Sequence, residues 1–200
     1  MGEQVRLAKS ELRRRILAAR RERSPELTAV ASRTICDQLA RLVGFHLASH
    51  LVAYAARPGE IDPSALVARG IGRGCPVYFP RVTDGGLEFL AAPPDALRPG
   101  AYGVAEPQGG CRLSPEHPGI TFLVPGLTFD GDGTRLGRGG GHYDRALADY
   151  PRALRLGLAH DADLTATVPC DTWDQHVDAV VTERRLLWAP AGRAFKESVT

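Results

Sequence analysis

The run Ile120-Thr121-Phe122-Leu123-Val124, followed at once by Pro125-Gly126, constrains this chain more than any other segment. It is short, continuous and rich in β-branched residues, the pattern of a buried strand. Such strands belong to parallel sheets, whose crossover connections lay helices over the faces. The rest of the chain agrees with that frame. Leu12, Ile16 and Ala19 recur at helical spacing within 5–23, with Arg and Lys on the other faces. Ser24-Pro25 reads as an N-cap and a first-turn proline. From there Leu27, Val30, Ala31, Ile35, Leu39 and Leu42 carry a second helix to Gly44 as its C′ residue. Residues 50–55 read as a strand, and Asp62-Pro63 caps a third helix that ends near Gly70 or Gly72. Strands at 76–82 and 87–91 are joined by the turn Asp84-Gly85-Gly86. The Pro- and Gly-rich stretch 93–118 reads as irregular connection. A helix over about 142–149 and strands at 154–159 and 178–182 complete the pattern. Strands alternating with helices predict an α/β fold: a single domain over 1–200, with a mainly parallel sheet and helices on both faces.

Composition narrows the class of function. At 200 residues, 44% apolar and 24% charged, the chain can bury a core without disulfides or a structural metal. A net charge of +2 is too small for a nucleic-acid coat, and no aromatic residues interleave the Arg-rich N-terminal run. Cys36, Cys75, Cys111 and Cys170 form no C-x-x-C pair, which argues against a zinc ribbon or a redox motif. No apolar run reaches membrane-span length, and no apolar signal segment follows Met1-Gly2-Glu3-Gln4. A reduced, cytoplasmic monomer without nucleic-acid or membrane partners is expected.

The chemistry lies after the buried strand, in the segment from Gly126 to Arg145. In an open α/β sheet, ligands bind beyond the carboxyl ends of the strands. Glycines let backbone N–H groups approach phosphate oxygens, and a helix starting at the end of the loop adds its positive end. Arg135 and Arg138 offer guanidinium forks to phosphate. Asp144 is a hard oxygen ligand, suited to holding Mg²⁺ against those phosphates. A lone glycine triplet would read as a surface turn; two arginines, a terminal Asp and a preceding buried strand favour an ATP site. No Gly-Lys-Ser/Thr follows, so this is no P-loop, and the dinucleotide pattern G-x-G-x-x-G is absent.

Pro125-Gly126-Leu127, Phe129-Asp130, Gly133, Arg135-Leu136-Gly137, Gly139, Gly141 and Tyr143-Asp144-Arg145 resemble the signature of the 5-formyltetrahydrofolate cyclo-ligase family, also called methenyltetrahydrofolate synthetases. Lys9-Ser10-Glu11-Leu12-Arg13 looks like that family's nucleotide-contacting helix, and Gly59-Glu60-Ile61-Asp62 like its folate-contacting loop. Phe79-Pro80-Arg81-Val82 and Gly103-Val104-Ala105-Glu106-Pro107 match two further short blocks. The segment 169–174, with Asp178 and Val181-Thr182-Glu183, resembles the C-terminal signature. Three positions depart from the pattern. Trp173 stands where the family often has His, Asp163 lies near a frequent Gln, and His142 replaces a common aromatic.

The resemblance implies a three-layer architecture of the NagB/RpiA/CoA transferase-like kind and a defined set of site residues. ATP would be held by Lys9, Arg13, Arg135, Leu136, Gly137, Arg138, Gly139, Gly140, Gly141, His142 and Tyr143. The folate substrate would meet Ala55, Glu60, Arg138, Gly139, Gly140, Gly141 and His142. Arg138 and Tyr143 would be catalytic, and Asp144 and Asp174 would hold Mg²⁺. Lys9 and Arg13, four apart, share one helix face; alone they read as a solvated basic surface. Tyr54 reads as core, and His46, His50, His117 and His176 as structural or solvated. The implied reaction is ATP-dependent closure of 5-formyltetrahydrofolate, with or without a polyglutamyl tail, to the 5,10-methenyl form. The rivals are a relative acting on another substrate and a non-catalytic nucleotide-binding module.

Overall fold

The computed structural model describes residues 2–42 and 48–192. Gly44 and His46 lie outside the described residues. The first helix, α1 (Glu3–Arg21), and the second, α2 (Pro25–Ala40), are joined at Ser24, whose side chain accepts from the Leu27 N–H at 3.2 Å. The expected run of α2 through Leu42 is shortened: Arg41 is the C-cap, and the Leu42 N–H turns to the Leu39 carbonyl.

Among the described residues, seven strands form the main sheet. They are β1 (His50–Val52), β2 (Val77–Thr83), β3 (Gly86–Ala91), β6 (Ile120–Pro125), β9 (Leu154–Leu158), β10 (Ala179–Val181) and β11 (Leu186–Trp188), in the spatial order β11-β10-β9-β6-β1-β2-β3. The five inner strands run parallel, and each edge strand is antiparallel to its neighbour. Edge strand β11 falls outside the predicted set; its apolar run, Leu186-Leu187-Trp188, is only three residues long and half-buried, too short to set it apart as a strand.

Alternate residues on the strands feed two cores, as the pleat requires. Leu51, Val77, Phe79, Leu123, Leu156 and Val181 face Ile35 and Leu39 of α2 and Leu66 of α3 (Ser64–Gly72). Val52, Phe122, Val124 and Val180 face the other way, toward Phe89, Tyr150 and Leu147 of α4 (His142–Ala148). That gives the expected three layers. The α1 helix joins neither. Its stripe, Leu12 and Ile16, packs on Leu127, Leu136 and Val168, so it covers the glycine-rich segment instead of the sheet.

The stretch 93–118 is more ordered than its composition suggested. It contains β4 (Leu97–Pro99) paired antiparallel with β5 (Ala105–Pro107), and 3₁₀ turns at Pro94–Ala96 and Ala101–Gly103. The glycine segment likewise holds a small ribbon, β7 (Thr128–Phe129) against β8 (Arg135–Leu136).

Candidate nucleotide and folate cleft

Beyond the carboxyl ends of β6, β1 and β2 lies a cleft of about 1030 Å³. Its wall includes every residue assigned to the site from sequence: Lys9, Arg13, Ala55, Glu60, the run 135–144, and Asp174. Seven Arg or Lys side chains and four carboxylates line it, an excess of cations suited to an anionic ligand. Because α4 is a single short helix of 7 residues, side-chain cations dominate this field over any helix terminus.

Asp130 holds the loop's base in shape. Buried at the end of β7, it accepts from the Asp132 and Thr134 N–H groups at 3.1 and 2.9 Å and from the Val168 N–H at 2.8 Å. One carboxylate thus closes the 130–134 turn and ties it to the segment that brings Asp171 and Asp174. Gly133 in that turn has φ +78°, and a Cβ there would meet the Val177 carbonyl oxygen at 2.2 Å.

Arg135 folds back into the loop. Its Nη2 donates to Asp144 Oδ1 at 2.8 Å, its guanidinium lies 5.6 Å from the centre of the Tyr143 ring, and its Nε has no partner among the described residues. The Gln175 N–H also reaches Asp144 Oδ1, at 3.3 Å, while Oδ2 accepts nothing among the described residues. Tyr143 is half-buried, and its hydroxyl oxygen, which is fully buried, likewise lacks a partner among the described residues. Burial pushes this phenol far above its ordinary value, against the pull of Arg135, so it stays protonated and has a proton to donate at neutral pH.

The α1 helix delivers its two basic residues to the same place. Lys9 Nζ pairs with Asp174 Oδ2 and lies 3.5 Å from Asp171 Oδ2, while Arg13 Nε donates to the Gly137 carbonyl at 2.9 Å. Burial works to raise the Asp174 carboxyl; the Lys9 ammonium, the Asp171 N–H and Arg135 outweigh it and hold Asp174 below the usual carboxylate value. Burial lowers Arg13, against the opposing pull of Asp174 and Asp144. The two candidate metal carboxylates therefore already have Lys9, Arg13 and Arg135 between them to offset their repulsion. Among the described residues, no group of three or more His, Cys, Asp or Glu forms a metal cage.

Across the cleft, Arg138 joins the two expected substrate loops. Its Nη2 donates to Glu60 Oε1 at 2.8 Å, and Glu60 Oε2 accepts from the Arg57 N–H at 3.0 Å. Tyr54 is buried as expected but also lines the cleft; its hydroxyl donates to the Ile61 carbonyl at 2.6 Å and fixes the Glu60 loop to the end of β1. His142 Nδ1 lies 3.3 Å from Arg145 Nη2, and its ring is 5.9 Å from that of Tyr102. Sequence reasoning gave no role to Tyr102, Arg145, Asp130 or Asp171. Asp130 and Arg145 stood within the signature motif without a role, and Tyr102 is an aromatic side chain within a Pro- and Gly-rich loop.

Residues 5–183 match the model of the 5-formyltetrahydrofolate cyclo-ligase family. A 5-formyltetrahydrofolate cyclo-ligase of Escherichia coli K12 is 32% identical over 146 residues, covering 69% of this chain and 80% of that protein. A probable 5-formyltetrahydrofolate cyclo-ligase of Caenorhabditis elegans is 24% identical over 194 residues, 90% of this chain and 94% of the other. The solved 5,10-methenyltetrahydrofolate synthetase of Aquifex aeolicus superposes with a TM-score of 0.79 at 32% identity, covering 91% of this chain and 93% of its own. The synthetase of Mycoplasma pneumoniae shares the fold, with a TM-score of 0.71 at 21% identity over 88% of this chain and 98% of its own.

Proposed function

The chain belongs to the 5-formyltetrahydrofolate cyclo-ligase family, and from that premise we propose how its cleft carries out the family's reaction. The reaction is the ATP-dependent cyclisation of 5-formyltetrahydrofolate to 5,10-methenyltetrahydrofolate, with release of ADP and phosphate. The observation that carries the assignment of roles is the Arg138–Glu60 pair, which puts the glycine loop and the Glu60 loop in contact at one point of the cleft. Glu60 is a carboxylate acceptor for the amino-pyrimidine edge of the folate ring. Arg138, with Arg13 and Lys9, meets the ATP phosphates. A ligand that takes up either partner releases the other, so both substrates converge on Arg138.

A formamide oxygen is a weak nucleophile and a poor leaving group. In the first step that oxygen attacks the γ-phosphorus, and the bond from γ-phosphorus to the ADP oxygen breaks. The N10 amine then adds to the activated formyl carbon. The carbon–oxygen bond breaks, phosphate leaves, and N10 loses its proton. The protein's share is alignment and charge stabilisation. Arg138 steadies the transferred phosphoryl group, and the protonated Tyr143 hydroxyl donates to oxygen as charge builds there. The backbone of 137–141, free of side chains at its glycines, lets the phosphates lie close.

Magnesium would be held at Asp144, whose Oδ2 accepts no hydrogen bond among the described residues and whose side chain is 16% exposed. One carboxylate with phosphate oxygens and waters is an ordinary Mg²⁺ shell. Asp174 is the second candidate: one of its oxygens likewise accepts twice, from Lys9 and the Asp171 N–H, and at 11% its side chain is less exposed. The ion would neutralise phosphate charge. The decisive assay follows ADP release and methenyl absorbance together, with and without 5-formyltetrahydrofolate. ADP release that ignores the folate, or no methenyl signal, would overturn the reaction.

A further inference from the structure

Below the cleft, outside its lining, sits a buried cation that none of the steps above uses. Arg20, in the last turn of α1, is 7% exposed. Its Nη2 donates to the Gly126 and Leu127 carbonyls at 2.8 and 3.0 Å, and its Nε donates to Asp163 Oδ2 at 2.8 Å. Asp163, 1% exposed, also takes Arg23, with Nη2 at 2.6 Å from Oδ1 and Nη1 at 3.0 Å from Oδ2. The same residue supports the other loop. Gly59, with φ +79°, lies against it, and a Cβ there would sit 3.7 Å from both the Arg20 Cβ and its carbonyl oxygen.

Gly126 opens the phosphate loop, and Gly59 precedes Glu60 of the folate loop. One rigid guanidinium, locked by a buried carboxylate, therefore fixes the root of one loop while its own backbone seats the other. We infer that Arg20 is a positioning residue that sets the distance between the two substrate loops, and so the alignment of the γ-phosphate with the formyl oxygen. It touches neither substrate. Each loop keeps its own ligand contacts without it, so each substrate should still bind alone. What depends on Arg20 is the relative placement, and a shift of about 1 Å in reacting groups costs on the order of a hundredfold in rate.

The inference rests on the proposed reaction, and the test separates the two. Arg20→Met removes both the charge and the fork. Arg20→Lys keeps a cation for Asp163 but cannot donate in a fixed plane to the carboxylate and two carbonyls together. For each variant and the wild type, kcat for folate-dependent ADP release is compared with the separate Kd values for ATP and 5-formyltetrahydrofolate, measured by calorimetry. The expected result is a fall in kcat of about tenfold or more in both variants, with each Kd within about threefold of wild type. A merely structural role would lower the melting temperature and leave kcat of the folded fraction within about twofold; that result overturns the inference. A loss carried by one Kd alone, with kcat preserved, overturns it as well. If Arg20→Met does not fold, Arg20→Lys decides. A wild type that releases no ADP with the folate would instead overturn the proposed reaction, and this inference with it.

Discussion

Replacing Glu60 with Gln separates recognition of the folate from stability of the fold. The change keeps the shape and one acceptor oxygen, which can still serve the Arg57 N–H at 3.0 Å. The amide nitrogen then faces Arg138, donor to donor, and the anionic acceptor for the folate ring is gone. The Arg138 side chain is 39% exposed and that of Glu60 10%, so their pair is half in solvent. A pair of that kind contributes about 0–1 kcal/mol, which for a chain of this size lowers the melting temperature by at most about 4 °C. A recognition bond to a charged acceptor is worth about 1–3 kcal/mol or more, which corresponds to roughly 5- to 150-fold in folate affinity. The two effects therefore separate cleanly. Calorimetric titration of the variant with 5-formyltetrahydrofolate and with ATP, beside a thermal melt, should show folate weakened within that range, ATP within about twofold, and little change in melting. Equal weakening of both ligands, or an unchanged folate Kd, would refute the assignment of Glu60 to the folate ring.

Other substitutions probe the remaining parts. Arg138→Ala should cut turnover at least about a hundredfold while costing about 1 kcal/mol or less in stability; activity within a few-fold of wild type would remove Arg138 from the phosphoryl site. Asp144→Asn should raise the magnesium concentration for half-maximal rate, and Asp174→Asn should do so less; if neither moves it, ATP alone holds the ion. Asp130→Asn turns one acceptor oxygen into a donor, so Thr134 N–H or Val168 N–H loses its partner. The cost is about 1–3 kcal/mol, seen as a fall in melting temperature of roughly 2–10 °C. His160 is buried, and its pKa is lowered by burial first and then by Arg23. The unfolded imidazole therefore takes up a proton more readily than the folded one. This group's share of stability is complete above the unfolded value of about 6.5 and is lost as pH falls below it toward the folded value. Denaturant melts at pH 7 and pH 5.5 should show wild type losing more stability than His160→Asn; parallel losses would show that His160 does not titrate on unfolding.

The parts of this molecule that the sequence disclosed share one property: their local residues leave few alternatives. The strand β6 is apolar but for Thr121 and buried over its first five residues, and the loop after it uses glycine where a side chain would collide, as at Gly126, whose Cβ would meet the Phe129 ring at 2.5 Å. What stayed hidden depends on partners distant in the chain. The Leu12–Ile16 stripe announces a buried face but not that the face meets Leu127 and Leu136 in place of a sheet. Asp174 and Lys9 were each legible as site residues, yet nothing local tells that they pair with one another. Arg20 looked like one more arginine in a basic run, because Asp163 lies 143 positions away. The β4–β5 pair is carried by backbone bonds around prolines and a glycine-rich bend, and it leaves no alternating pattern to read.

The way α1 is docked has a consequence for the order in which the molecule assembles. Three of its tie points, Lys9 to Asp174, Arg13 to Gly137 and Arg20 to Gly126, span 165, 124 and 106 positions. Closing loops of that length costs entropy before any contact offsets it, and such contacts form late. The parallel sheet can be complete while α1 is still undocked, and in that state the cleft lacks three of its cations, Arg6, Lys9 and Arg13. With Lys9 and Arg13 meeting the ATP phosphates as proposed, ATP would bind chains with α1 docked more tightly and by mass action would shift the population toward them. Native-state hydrogen exchange should show α1 amides opening before those of β6 and β9, with ATP slowing the α1 set most. Protection of α1 equal to that of the sheet in the free protein would rule this order out.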